Sequence, residues 1–91
     1  MGSEEKIKIA MMSAASKALS YKKINPKAET DEILQYVMTD LKVKGQEKIG
    51  AMAAAGKALK YKEESSDLTD KKIMQKVMDE SNDILMTMSL D

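Results

Sequence analysis

The chain contains neither cysteine nor histidine, and these two absences remove much of the common chemistry at once. Without cysteine there is no disulfide framework, no thiolate nucleophile and no cysteine-held zinc. Without histidine the usual general base and the commonest metal ligand are missing. All fifteen basic residues are lysine, so the planar fork that proteins use to grip guanine or phosphate in two places is absent as well. There is no Phe or Trp, which leaves three tyrosines as the aromatic content. No apolar stretch approaches the roughly 20 residues of a membrane span, and the start lacks the layout of a signal peptide. The expectation is a cytoplasmic protein with no membrane partner.

Catalytic motifs are missing too. There is no Gly-rich phosphate loop and no nucleophile signature. The acidic run Asp79-Glu80-Ser81-Asn82-Asp83 does not make a calcium loop, because the loop glycine is absent and the twelfth position is Leu90 instead of Glu. The expectation is therefore a non-enzymatic chain with no cofactor, no metal and no small-molecule substrate.

What the chain does have is an internal echo. Lys17-Ala18-Leu19-Ser20-Tyr21-Lys22 returns as Lys57-Ala58-Leu59-Lys60-Tyr61-Lys62. Sliding the chain by forty without a gap makes 14 of 31 positions identical between residues 8–38 and 48–78. A repeat of this length is usually one supersecondary unit that cannot bury its apolar face alone, so two copies should pack on each other. With 91 residues, 43% of them hydrophobic and 33% charged, the chain is expected to fold as a single domain spanning 1–91. Repeat 1 covers about 4–44 and repeat 2 about 46–91.

Each repeat reads as a helical hairpin. Helices are expected over about 4–23, 31–42 and 46–62, with a fourth starting after Thr69. Glu4 and Glu5 open the first and Lys22 and Lys23 close it, the order that suits the helix dipole. Asn25-Pro26 ends it, since the residue before proline is pushed out of the helical region. Gly45 is placed to cap the second helix. Thr69 suits the N-cap of the fourth, and Leu68 is placed to staple against Ile73. That helix either continues through Ile84, Leu85 and Met88 or breaks at Asn82-Asp83.

Apolar spacing of three and four puts Ile9, Met12, Ala15 or Ser16, and Leu19 on one stripe and Ile49, Met52, Ala55 or Gly56, and Leu59 on its counterpart. Ile7, Met11, Ala14 and Ala18 widen the first stripe. Met38, Met74 and Met78 fall on core stripes of the second and fourth helices. The small-residue segments Ser13-Ala14-Ala15-Ser16 and Gly50–Gly56 should let the first and third helices approach closely. The expected fold is all-α: a four-helix bundle of two tandem hairpins offset by 40 residues and related by a pseudo-two-fold axis.

Two candidate surfaces follow. Residues 84–90 have no counterpart in repeat 1, and their Met86, Met88 and Leu90 would make an adhesive apolar tail for a protein partner, including a second copy of the chain. The duplicated hexads would instead present Lys17, Tyr21, Lys22, Lys57, Tyr61 and Lys62 to a nucleic-acid backbone and its bases, without sequence preference. Charge is segregated along the chain: residues 4–28 carry +4, 29–41 carry −4, 42–62 carry +5 and 63–91 carry −5. Basic helices lying beside acidic ones would neutralise each other, and the tyrosines would then cover the core ends with their hydroxyls in water. The principal expectation is accordingly a small protein-interaction module, with nucleic-acid binding as the alternative.

Overall fold

The computed structural model describes residues 3–88, and all regular structure among them is helical. Helix α1 spans Ser3–Ile24, α2 Thr30–Leu41, α3 Gly45–Glu64 and α4 Asp70–Met88. Among the described residues no helix is long and apolar enough to cross a membrane.

Local chemistry explains the boundaries. The Asn25 amide donates to the Tyr21 carbonyl at 2.8 Å, and Pro26, with no N–H, follows at once. The Ala28 amide then returns to the Asn25 carbonyl at 3.0 Å and tightens the turn. At the start of α4 the Lys72 amide donates to Thr69 Oγ1 at 3.2 Å, satisfying one of the first-turn donors. Leu68 packs into the same cluster as Ile73. Of the two courses left open for the fourth helix, α4 takes the continuous one, running through Asn82-Asp83 to Met88. Ser81 shows how this polar stretch is accommodated: it is almost fully buried, and its hydroxyl donates to the Met78 carbonyl at 2.6 Å.

Gly45 does not cap α2. Lys42 takes the left-handed conformation, at φ 54° and ψ 38°, and its amide closes the helix on the Met38 carbonyl at 3.1 Å. Gly45, at φ 61°, opens α3 instead. With three residues between the helices, the chain needs two left-handed turns of direction, and glycine takes the second at no steric cost.

Helices α1 and α3 share the most extensive contact and form the centre, while among the described residues α2 and α4 flank them without touching each other. Ile33 and Val37 of α2 share one core cluster with Ala10, Ala14, Ala18, Ala51, Ala55 and Leu59. Ile73, Val77 and Leu85 of α4 share the other with Ile7, Met11, Ala15, Leu19, Ala54 and Ala58. The close approach expected at the small residues is present at Gly50, where an added Cβ would stand 2.9 Å from Ile7 Cγ2 and 3.2 Å from Met11 Cγ. It is absent at Gly56, where an added Cβ would meet nothing within 4 Å. Gly56→Ala should therefore raise stability by about 0.5–1 kcal/mol through helix propensity, whereas Gly50→Ala should lower it by about 1 kcal/mol through overpacking. Urea denaturation of the two variants reads both signs; equal gains would mean that α1 and α3 have room to spare.

The buried side of α1 keeps Ala15 and Leu19 of the expected stripe and all four residues expected to widen it, but it excludes Ile9. Ile7, Ala10, Met11, Ala14, Ala15 and Ala18 are buried, whereas Ile9 is 59% exposed. At 100° per residue Ile9 stands opposite the middle of that arc. The same holds on α3, where Ile49 is 59% and Met52 41% exposed. Met78 is another core expectation that fails, at 56% exposed, while Met12, Met38 and Met74 are partly buried. On α1 and α3 the reason is steric: the helix axes approach nearest along alanine, so the alanine arc wins the central contact and the larger side chains are displaced outward.

Candidate functional site

The duplicated lysines and tyrosines are engaged within the chain. Lys17 pairs with Asp40 at 2.5 Å and Lys57 with Glu80 at 2.8 Å. Lys22 donates to the Ala28 carbonyl at 2.9 Å, and Lys62 donates to the Leu68 carbonyl and to Asp70, both at 3.3 Å. Tyr21 donates to Glu32 Oε2 at 2.9 Å, and Tyr61 donates to Glu80. The Tyr36 ring lies 4.7 Å from that of Tyr21, while the Lys76 ammonium stands 5.7 Å over that of Tyr61. Basic helices thus lie against acidic ones, as the alternating charge blocks anticipate, and the six hexad residues meet local partners rather than one open basic patch.

The hydrogen bond that Lys17 donates to Asp40, with the charge of that carboxylate, holds the ammonium above its ordinary pKa. The hydrogen bond to Glu32, then burial and nearby negative charge, likewise push the Tyr21 phenol up. A folded-state pKa raised above the unfolded value contributes stability that is complete below pH about 10 and is lost as pH rises through the folded pKa. Glu32→Gln should bring the Tyr21 midpoint down toward the ordinary tyrosine value, read from ring-carbon shifts in an alkaline NMR titration. An unchanged midpoint would remove Glu32 as the cause.

A different surface stands open. Between α1 and α4 lies a hollow of about 600 Å³ lined by Ile9, Met12 and Met78, with Lys8 and Ser13 on the α1 wall and Asp79, Ser81 and Asn82 on the α4 wall. Ile9 also borders a second hollow of about 240 Å³, shared with Leu41 and Val43, so it forms a ridge between two concave surfaces. Further along α4, Met86 is 67% exposed. Met88 is described only as the final residue of α4, and Leu90 lies outside the described residues. Of the three tail residues, Met86 alone is therefore placed as an exposed side chain.

Sequence reasoning assigned Ile9 and Met78 to core stripes and so missed them as surface residues. A signal was present: Ile9 is two positions from both Ile7 and Met11, and at helical pitch a residue cannot share a face with neighbours at that spacing.

No protein-family model, no curated protein and no solved structure matches the chain.

Proposed function

We propose that the chain is a small non-enzymatic, cytoplasmic protein-interaction module, which docks a protein partner on the apolar face formed by α1 and the outer side of α4. The observation that carries this reading is the exposure of Ile9 and Met78 around the 600 Å³ hollow, in a chain whose duplicated cations already have internal partners. Large exposed apolar side chains beside a concave surface are costly in water unless something covers them. Met86 extends the same reading toward the tail.

We read the scaffold as two tandem hairpins offset by forty residues and related by a pseudo-two-fold axis. Support comes from interactions that recur at that offset. Lys17–Asp40 has its counterpart in Lys57–Glu80, Lys22 to the residue 28 carbonyl in Lys62 to the residue 68 carbonyl, and Tyr36 over Tyr21 in Lys76 over Tyr61. The core clusters exchange in the same way: Ala14, Ala18, Ile33 and Val37 occupy one, and Ala54, Ala58, Ile73 and Val77 the other.

Nucleic-acid binding through Lys17, Tyr21, Lys22, Lys57, Tyr61 and Lys62 ranks second, because the ion-paired lysines would first have to exchange their carboxylates for phosphates. The test compares the wild-type chain with Ile9→Asp and Met78→Lys, immobilised as bait for cell protein and, separately, titrated with a labelled single-stranded oligonucleotide at low and moderate salt. The interaction reading expects protein capture that both substitutions abolish. Capture that both variants retain, together with salt-sensitive oligonucleotide binding, would replace it with the alternative.

A further inference from the structure

The α1/α4 face has the features of a surface that fits itself. Its two walls carry opposite charge, with Lys8 on α1 and Asp79 on α4, and neither takes part in any of the ion pairs that join the helices among the described residues. Its relief is likewise of both kinds, since the Ile9 ridge rises directly beside the 600 Å³ hollow. A two-fold axis brings one patch onto the same patch of a second copy, so such a contact is closed only if each patch holds both halves of the fit. Here ridge can enter hollow twice and cation can meet carboxylate twice. The formal net charge of zero leaves no overall repulsion between copies.

We propose that the occupant of the α1/α4 hollow is a second copy of this chain, in an isologous dimer where Ile9 of each protomer fills the hollow of the other and Lys8 of each faces Asp79 of the other. This rests on the protein-docking reading above and names the partner. Ile9 and Met78 become buried in the dimer, while Tyr21 and Tyr61 stay outside the contact.

The experiment is sedimentation velocity of the full chain over a range of concentrations, for wild type, Ile9→Asp, Lys8→Glu, Asp79→Lys and an equimolar mixture of the last two. Circular dichroism confirms that each variant is helical. Wild type should pass from one-chain to two-chain mass as concentration rises, and Ile9→Asp should remain at one-chain mass. Each charge reversal alone places like charges together twice and should weaken dimerisation about tenfold or more. The mixture should recover it: the carboxylate introduced at position 8 of one chain meets the ammonium introduced at position 79 of the other, and the unaltered Lys8 and Asp79 meet at the second contact. A merely damaged fold would not be rescued by mixing. Single-chain mass for wild type at every concentration overturns the dimer, as does a mixture no stronger than its components. If wild type is monomeric while Ile9→Asp still abolishes protein capture, the dimer falls and the docking reading stands; if Ile9→Asp changes neither, both fall.

Discussion

Met11→Ala is expected to remove about 4 kcal/mol of stability, much of what a domain of this size possesses. Met11 is fully buried in the α1–α3–α4 cluster, and its Cγ lies 3.2 Å from where a Cβ on Gly50 would be. Truncation leaves a void that the helices cannot close, since Ala15 and Ala54 in the same cluster are already fully buried. Much of the cavity therefore persists, and its cost adds to the lost transfer free energy. Met78→Ala provides the contrast. At 56% exposed it should change stability by no more than about 0.5 kcal/mol, and the two methionines separate in one pair of urea titrations. Equal losses would mean that α4 presents its Met78 side to the core.

Ala54→Leu is the second large effect. Ala54 is fully buried in the cluster that joins α1, α3 and α4. Three further carbons there must push α1 off α3 or force α4 outward, at a cost of about 3 kcal/mol or more. Ala53→Leu adds the same atoms one residue earlier, where the side chain is only half buried, and should stay within about 0.5 kcal/mol because leucine and alanine have similar helix propensity. Thermal unfolding followed by circular dichroism distinguishes them. Comparable melting points would show that the central crossing is loosely packed.

Much of the fold was legible because local signals agreed with one another. Pro26 removes an amide, Thr69 supplies an oxygen to a first-turn donor, and acidic and basic residues are ordered along α1; each acts within a turn of its own position. The sequence also showed that basic segments alternate with acidic ones, and Lys17–Asp40, Lys57–Glu80 and Lys62–Asp70 realise that pattern.

What the sequence hid depends on rotation about a helix axis. Choosing the buried side of α1 meant weighing Ile9 and Met12 against Ala14 and Ala18, and hydrophobicity favours the larger residues. Close packing favours the smaller ones, and it prevailed. The same reversal placed Ile49 and Met52 in solvent, whereas Met78 is exposed because α4 buries the row of Ile73, Val77, Ser81 and Leu85 instead. Gly56 misled for a related reason: it stands among alanines in sequence, yet an added Cβ there faces open space. The candidate surface was thus hidden by the same ambiguity, since a residue assigned to the core is not considered as a contact for a partner. The Tyr21–Glu32 and Tyr61–Glu80 bonds were out of reach for another reason, because they join helices whose rotation about their axes the sequence did not specify.

The central proposal is that the face carrying Ile9, Met12 and Met78 is where a second copy of the chain docks. The most direct test is an amide-resolved NMR spectrum of the full chain recorded at dilute and concentrated loadings. The account predicts concentration-dependent shifts and broadening confined to residues 8–13 of α1 and 78–86 of α4, with the amides of Tyr21 and Tyr61 unmoved. Shifts centred instead on the tyrosine-bearing ends of α1 and α3 would contradict it.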